Sequence, residues 1–377
     1  MSGAGTVGVS HALGSWIHAR DGRRMVDLVN GFGSVFLGHR HPAVVARVSA
    51  ALNEVWACGR HATPALAEAN ARIAGLLPGT LAPAGLYSTG MEVAEFAIRI
   101  AVRHTGRREI VGFARSMHGK SVMSASMCWD NAPLRPREAA ILPFVADAPE
   151  AEILERLRER LRRRATAAVF VEPIQGSNGA HEASPAFYDA VVAACRESDT
   201  LCVIDEILTG LYRTGTRFYV DRLAAPPDVL LFAKAMGNGF PVSSIAVRRE
   251  LPIDAGAMPG STFSDHPLAG AAAAAVLGVM QETPIAERVR DVERTVRDRF
   301  GALEGEGMTL RGRGTLWALE LAGSRPLAPL QEAIGRAGVL VSAHGRHIRL
   351  LPGAMIEPDV LAEACDRILE CCRAAGR

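Results

Sequence analysis

Lys234 follows a short apolar run at residues 229–232 and precedes a glycine-rich turn at residues 237–239. The run is typical of a buried strand, and a lysine at the end of such a strand is costly unless it is uncharged, paired or covalently modified. In the ordinary case the side-chain stem packs on the strand while the ammonium reaches water. The alternative is an imine with an aldehyde cofactor, which in proteins is usually pyridoxal phosphate.

A carboxylate upstream favours the cofactor interpretation. Residues 201–204 form another apolar run, which ends in Asp205 and Glu206. Ligands of a parallel α/β sheet bind at the carboxyl ends of its strands, so two neighbouring strands would bring Asp205 and Lys234 to one edge. Pyridoxal phosphate needs such a pair, because a carboxylate keeps the ring nitrogen protonated while an amine holds the aldehyde. We predict that Lys234 and Asp205 are catalytic.

The elements that must position these residues alternate along the chain. Strands are predicted at 109–113, 167–171, 201–206, 229–232 and 242–247, and helices at 92–104, 151–164 and 185–197. This alternation predicts an α/β fold with a mostly parallel sheet covered on both faces. After Pro267 the pattern changes to a buried helix, a charged helix at about 285–304, short strands near 316–321, 339–342 and 347–351, and a terminal helix. That second part indicates a smaller α+β domain.

The composition of the chain limits the kinds of partner that it is expected to bind. The chain has 377 residues, 49% of them hydrophobic, which is enough for a sizeable core. Its formal net charge of +2 gives no reason to expect nucleic acid as a partner. The arginine-rich segment 155–164 follows a helical pattern with apolar residues on one face, so we interpret its arginines as a solvated surface. The most apolar long segment, 268–280, is too short to span a membrane.

The cysteines and the first residues indicate a cellular compartment. Seven cysteines without a CxxC pair fit a reduced, intracellular protein. Residues 1–9 are small and uncharged, so we expect no signal peptide. We therefore predict a cytoplasmic protein, and no residue cluster leads us to predict a metal site.

A strand-to-helix turn at residues 88–92, with the sequence Ser-Thr-Gly-Met-Glu, is a candidate phosphate site. A helix that begins with glycine and hydroxyl residues offers free backbone N–H groups and the positive end of the helix dipole. A simple helix N-cap explains the same residues. A second hydroxyl pair, Ser261 and Thr262, occurs just before Pro267.

Together these segments resemble the class III, ornithine-aminotransferase-like family of pyridoxal-phosphate enzymes, which have fold type I. The resemblance covers nearly the whole chain. It rests on five segments in the family's order: GHRHP at 38–42, VEPIQG at 171–176, DEILTG at 205–210, KAMGNG at 234–239 and GSTF at 260–263. It implies a large cofactor-binding domain at 41–266, a small domain at 267–377, and an N-terminal segment, 1–40, that packs with the small domain. The two histidines of GHRHP are interpreted as structural.

The resemblance also implies residue roles and a homodimer with a shared active site. Lys234 would form the Schiff base and Asp205 would pair with the pyridine nitrogen. The other positions implied to bind the cofactor are Thr89, Gly90, Met91, Met117, His118, Leu208 and, from the other subunit, Thr262. The positions implied to meet the substrate are Phe32, Lys120, Ser261 and Arg349.

Several positions depart from the family's usual residues. Met117 stands where an aromatic residue usually stacks on the ring, and a thioether packs less rigidly. Leu208 replaces a glutamine, and Lys120 stands where arginine, with its bidentate fork, is common. Ser177 stands where ornithine-type members carry a glutamate that pairs with the carboxylate-binding arginine, here Arg349. These changes lead us to predict that the substrate is neither ornithine nor acetylornithine and that the protein takes part in specialised biosynthesis.

The predicted function is amino transfer between an amine or amino-acid donor and a carbonyl acceptor, with pyridoxamine phosphate as the intermediate form of the cofactor. Lys234 would move a proton from the substrate Cα as general base. An aminomutase, racemase or decarboxylase on the same scaffold is an alternative, because an apolar residue at the Leu208 position also occurs in relatives that resemble glutamate-semialdehyde aminomutase. A non-catalytic binding protein is a further alternative, which the presence of both Lys234 and Asp205 disfavours.

Overall fold

A computed structural model describes residues 7–59, 61–128, 132, 134–254, 256–301, 307–323 and 327–375. Its strands are β1 (Val9–Leu13), β2 (Trp16–Ala19), β3 (Arg24–Asp27), β4 (Leu81–Tyr87), β5 (Glu109–Phe113), β6 (Ala139–Leu142), β7 (Thr166–Val171), β8 (Ile174–Gln175), β9 (His181–Glu182), β10 (Leu201–Glu206), β11 (Val229–Phe232), β12 (Ser243–Arg248), β13 (Met308–Arg313), β14 (Leu316–Leu321), β15 (Val339–Leu340), β16 (Ser342–His344) and β17 (His347–Leu350). Its helices are α1 (Asn30–Gly33), α2 (Pro42–Ala51), α3 (Pro64–Leu76), α4 (Gly90–Thr105), α5 (Val122–Ser126), α6 (Glu150–Leu161), α7 (Pro185–Glu197), α8 (Pro267–Glu282), α9 (Ile285–Phe300), α10 (Leu327–Arg336) and α11 (Pro358–Ala374).

A seven-stranded sheet in the order β4-β12-β11-β10-β7-β5-β6 carries the site. Its pairs from β11 to β6 are parallel, while β12 runs antiparallel to both β11 and β4. Every residue of β7, β10 and β11 is buried, as expected for central strands covered on both faces. The predicted mostly parallel α/β sheet is confirmed. The apolar run of β12 predicted a strand but could not indicate that this strand runs in the opposite direction.

The helices that cover this sheet have the predicted amphipathic pattern. Helix α7 has its predicted bounds, whereas α6 ends at Leu161 and not at residue 164. Arg164 has φ 55°, a left-handed conformation that is incompatible with a continuing helix. Ile153, Leu157 and Leu161 are buried and the arginines around them lie at the surface, which confirms the solvated face predicted for this segment.

Helix α8 is the buried helix predicted after Pro267. Most of its residues are small and buried, which lets it pack closely on α3. A Cβ on Gly270 would lie only 3.1 Å from the backbone nitrogen of Leu66. Among the described residues no single helix is long and apolar enough to cross a bilayer, and the bent pair of α8 and α9 passes that test by length and composition alone.

The N-terminal segment joins the C-terminal part of the chain. The sheet β1-β2-β3-β15 contains three N-terminal strands, and β15 pairs parallel to β3. A second sheet, β13-β14-β17-β16, has a core around Trp317 that also includes Val26 and Leu28. The predicted strand at 339–342 is therefore divided between two sheets. Helix α9 ends at Phe300, and its predicted end at residue 304 lies outside the described residues. The domain boundaries at residues 40 and 266 stay a prediction.

The GHRHP segment has a structural partner within the fold. His39 Nε2 lies 2.8 Å from Asp27 Oδ2, and Pro42 opens α2. The other oxygen of Asp27 accepts hydrogen bonds from the backbone nitrogens of Val29 and Asn30. This agrees with a structural role for the segment. Within the described residues, no group of three or more His, Cys, Asp or Glu side chains could hold a metal ion.

Candidate active site

A cavity of about 370 Å³ lies where β4, β5, β10 and β11 end. The lining residues that follow these four strands include Ser88, Gly90, Met117, His118, Ile207 and Lys234. Because β4, β5, β10 and β11 run in the same direction, their carboxyl ends meet at one edge of the sheet. The structure thus brings predicted residues of three separate segments, together with Ile207 of a fourth, into one concave site.

Lys234 begins a short 3₁₀ turn directly after β11 and lines the cavity. Its backbone follows Ala233, a residue in an unusual conformation with φ −156° and ψ −115°. Burial disfavours the ammonium and lowers the pKa of Lys234 to about 8, although the carboxylates of Asp205 and Glu172 oppose that shift. A lysine in this state has a substantial neutral fraction near physiological pH and is a competent nucleophile.

Asp205 is buried and is held in a fixed orientation. Its Oδ2 lies 2.7 Å from His118 Nδ1, and its Oδ1 accepts a hydrogen bond from the Ile207 nitrogen at 3.0 Å. Since the carboxylate accepts, His118 Nδ1 carries the proton. Both side chains are nearly inaccessible to water. This pair places an oriented carboxylate beside the cavity.

Glu206, the second carboxylate of the run, has a different role. Successive residues of a strand point to opposite faces, so Glu206 points away from Asp205. It accepts hydrogen bonds from the backbone nitrogens of Tyr219 at 2.7 Å and Val220 at 2.9 Å. Burial raises the pKa of Glu206 to about 7. It anchors a backbone turn and does not enter the cavity.

Glu172 is a site residue that the sequence reasoning did not single out. It follows β7, it is buried, and its Oε1 accepts a hydrogen bond from the Met117 nitrogen at 2.6 Å. Burial, reinforced by Asp205, raises the pKa of Glu172 well above its usual range. The available signal was its position at the end of an apolar strand, as for Asp205. Glu172 holds in place the backbone beside the cavity that carries Met117 and His118.

The N-terminus of α4 forms another wall of the cavity. Thr89 is its N-cap, and the Thr89 hydroxyl accepts a hydrogen bond from the Glu92 nitrogen at 3.2 Å. Gly90 and Met91 follow and line the cavity. Their N–H groups belong to the first turn, which has no intrahelical acceptors. A Cβ on Gly90 would lie 2.8 Å from Ile207 Cδ1, so a larger residue here would require the Ile207 side chain to shift.

Arg349 lies on β17 with uncharged partners. Its Nη1 donates to the Gly176 carbonyl at 3.2 Å and to Ser177 Oγ at 3.5 Å, and its Nε donates to Ser342 Oγ at 3.3 Å. Its Cζ is 5.7 Å from the Phe32 ring centroid. Burial lowers the pKa of Arg349. No described carboxylate lies within ion-pair distance of this guanidinium.

Eight predicted site residues are not among those that line the cavity of a single chain: Thr89, Asp205 and Arg349, described above, and five others. Phe32, Lys120, Ser261 and Thr262 are exposed, and 62% of Phe32 is accessible. Leu208 is buried away from the cavity. Its methyl groups pack against Gly33 and Gly176, in the space that Cβ atoms on these two glycines would occupy. Conversely, Ser34 and Ile207 line the cavity without having been predicted. Ile207 follows Asp205 by two residues, which was the only sequence signal for it.

The fold and this site define a class of protein. The profile of the family described as aminotransferase class-III matches residues 2–372. The chain therefore belongs to the class III aminotransferases, and it is an aminotransferase. The family implies pyridoxal phosphate as the cofactor.

Individual relatives agree with this assignment. The chain is 32% identical to a 2-aminoadipate transaminase of Pseudomonas putida, over 96% of this chain and 95% of the relative. It is 30% identical to an acetylornithine aminotransferase of Bacillus anthracis, over 96% and 94%. Its fold matches an amine transaminase from an uncultivated Pseudomonas species, solved in a PLP-bound form, with TM-score 0.92, 23% identity and coverage of 100% and 97%.

Proposed function

We propose that Lys234 and Asp205 are the catalytic residues for amino transfer between an amine-bearing donor and a carbonyl acceptor. The observation that carries this proposal is the convergence of three features on one cavity: the amine of Lys234, the Asp205–His118 pair and the N-terminus of α4. They fit an aldehyde, a pyridine nitrogen and a phosphate, respectively. When bound, pyridoxal phosphate supplies an aldehyde that captures amines and a ring that withdraws electrons.

The roles of the chain's own residues follow from this arrangement. Lys234 would hold the cofactor aldehyde and would act as the base that moves a proton at the substrate Cα. Asp205 would keep a proton at the ring nitrogen, and His118 orients Asp205 through the 2.7 Å contact. Gly90 and Met91 would bind the phosphate through their backbone N–H groups, with Thr89 capping the helix. Met117, whose backbone is held by Glu172, would cover the ring.

The lowered pKa of Lys234 predicts how cofactor uptake depends on pH. Only the neutral amine attacks an aldehyde, and its fraction increases as the pH rises through about 8. We expect the rate of reconstitution of the apoprotein with pyridoxal phosphate to rise with pH and level off above about 8. Stopped-flow absorbance between pH 6 and 10 measures this rate. A midpoint near 10.5, the ordinary value for lysine, would contradict the burial effect.

A homodimer is part of the proposal. Thr262 is exposed and lies outside the cavity of its own chain, so it would reach the phosphate only in a second copy. Exposed apolar side chains near these segments, Met91 and Phe263, support a covered surface there. Sedimentation velocity tests this assembly, and a monomer at micromolar concentration would exclude it. A cytoplasmic location remains a prediction from the sequence.

Arg349 supports a substrate that carries a carboxylate. Its hydrogen bonds go only to neutral acceptors, and the charge of Glu172 acts on it from beyond ion-pair distance, so a ligand carboxylate would supply a direct counter-charge. Phe32, Lys120 and Ser261 are proposed at the entrance, where Lys120 can attract an anion as a point charge. We propose an amino-acid donor other than ornithine or acetylornithine, and the relative acting on 2-aminoadipate provides the first candidate.

The test is a donor screen by half-reaction. The holoenzyme is mixed separately with 2-aminoadipate, ornithine, acetylornithine and butylamine, which has no carboxylate, and conversion of the cofactor to its pyridoxamine form is followed by absorbance. We expect carboxylate-bearing donors to react faster than butylamine. If ornithine or acetylornithine reacts fastest, the specialised assignment is wrong. Stoichiometric consumption of a separate carbonyl acceptor distinguishes amino transfer from an aminomutase reaction.

A further inference from the structure

Arg213 is a fully buried arginine without an acidic partner among the described residues. Its Nη2 donates to the Gly33 carbonyl, its Nη1 lies 3.2 Å from Thr315 Oγ1, and its Cζ is 4.9 Å from the Phe36 ring centroid. Burial lowers the pKa of Arg213 to about 9, and the positive charge of Arg349 contributes to that shift. A buried guanidinium with only neutral partners is costly, which suggests a role that offsets the cost.

The carbonyl that Arg213 binds belongs to a strained turn. Residues Asn30, Gly31, Phe32 and Gly33 (α1) have φ values of 47°, 57°, 55° and 88°. Four consecutive left-handed residues are unfavourable for any chain, and a bulky residue such as Phe32 is the least suited to that conformation. Such strain persists only when surrounding contacts determine the backbone, and it is concentrated at functional sites.

Contacts at both ends hold this turn. At its start, Asp27 Oδ1 accepts hydrogen bonds from the backbone nitrogens of Val29 and Asn30, and Asn30 Nδ2 donates to the Leu351 carbonyl at 2.8 Å. At its end, Arg213 binds the Gly33 carbonyl. A side chain at Gly33 would be strained at φ 88°, and its Cβ, 2.8 Å from Leu208 Cδ1, would require Leu208 to shift. Arg213 and Leu208 thus fix where the turn ends.

The turn presents Phe32 to Arg349. The Phe32 side chain is largely exposed, and its ring centroid is 5.7 Å from Arg349 Cζ. A ring in this position attracts the cation and excludes water from one side of it. A carboxylate that then binds the guanidinium does so in a less aqueous environment, where the ion pair is stronger.

We propose that Arg213 is a positioning residue for the substrate carboxylate: by binding the Gly33 carbonyl it fixes the turn 30–33 and so places Phe32 over Arg349. This inference rests on the proposed role of Arg349 in binding a carboxylate. It explains why the chain keeps a buried arginine with only neutral partners at the end of this turn.

The test compares two ligands that differ only in a carboxylate, 4-aminobutyrate and butylamine. Their dissociation constants are measured by titrating the absorbance of the holoenzyme. We expect wild-type protein to prefer 4-aminobutyrate and the R213Q variant to bind it about tenfold more weakly, with butylamine binding unchanged within about twofold. R222Q is the matched control, because Arg222 also has neutral partners, the Thr214 carbonyl at 2.9 Å and the Tyr219 ring at 5.8 Å. R222Q should keep the wild-type preference.

A double-variant cycle shows whether Arg213 acts through Phe32. F32A should weaken 4-aminobutyrate binding on its own, and adding R213Q to F32A should weaken it little further. Additive effects, equal weakening of both ligands, or an unchanged preference in R213Q would each overturn the proposal. If wild-type protein has no preference for 4-aminobutyrate, the carboxylate role of Arg349 fails instead.

A second variant covers the case in which R213Q does not fold. G33A keeps Arg213 but adds a Cβ that meets Leu208 at a residue with φ 88°, so it displaces the turn. The same selective loss of 4-aminobutyrate binding is expected. Thermal unfolding and cofactor content are measured for each variant, and an unchanged preference in a folded G33A protein would refute the role assigned to the turn.

Discussion

Replacing Lys234 with alanine should reduce turnover with every donor by about ten-thousandfold or more, because the change removes both the covalent attachment and the general base. No other described cavity residue replaces it: the neighbouring acids Asp205 and Glu172 are buried and engaged with His118 and the Met117 backbone. Initial rates on K234A protein with verified cofactor content measure the effect. Retained turnover with normal cofactor loading would refute the assignment.

The small number of lysines in the sequence allows a specific control for the covalent bond. Lys234 and Lys120 are the only lysines among the 377 residues. Borohydride reduction of the holoenzyme followed by peptide mass spectrometry should place the cofactor on Lys234 in wild type and in K120A, and nowhere in K234A. Lys120 is exposed and is not among the residues that line the cavity, so label on Lys120 in wild type would contradict the proposed site. Added methylamine should restore part of the K234A activity if the missing group is a base.

Replacing Asp205 with asparagine should lower kcat on the order of a thousandfold, which corresponds to about 4 kcal/mol of transition-state stabilisation. A neutral amide cannot keep a proton on the ring nitrogen, so the ring loses most of its ability to accept electrons from the substrate. The contact with His118 at 2.7 Å would also change, because the carboxylate acceptor is gone. The measurements are kcat and the absorbance spectrum of the bound cofactor.

D228N is the matched control for this change. Asp228 is equally buried and directly precedes β11, where it accepts a hydrogen bond from the Cys202 nitrogen at 2.9 Å and lies 3.3 Å from Arg248. It has no contact with the cavity, so D228N should lower the unfolding temperature while folded protein keeps nearly wild-type kcat. If D228N loses as much kcat per folded molecule as D205N, the loss at Asp205 reflects packing and the catalytic role is wrong.

The local sequence pattern was sufficient to predict the strands that are buried on both faces of the sheet. The runs of β7, β10 and β11 consist almost entirely of apolar residues, and central strands of a parallel sheet require such runs. Elements with mixed patterns were not predicted, among them β13, whose residues are mostly half-exposed, and the ten-residue helix α10. The strand predicted at 339–342 was divided between two sheets, because only its neighbours decide which ladder each residue joins.

The candidate site likewise contains some residues that the sequence could predict and others that depend on tertiary contacts. Asp205 and Lys234 could be predicted because each ends an apolar run, and strand direction alone brings such ends together. The pairing of Asp205 with His118 was harder to predict from the sequence. His118 precedes Asp205 by 87 residues, and their pairing depends on how two loops pack. The orientation of Leu208, which packs under the turn and away from the cavity, likewise depends on contacts with Gly33 and Gly176.

The sequence alone was enough to predict the family, the class of chemistry and the proposed catalytic pair, because short motifs at the ends of buried strands indicate all three. The construction of the substrate end became visible only in the folded chain. Arg213 binds Gly33 across 180 residues, and a left-handed Phe32 faces Arg349 only because that contact and Asp27 hold the turn. Positive φ at a non-glycine residue is opposed by local preference, so no local pattern predicts it and contacts distant in sequence must impose it.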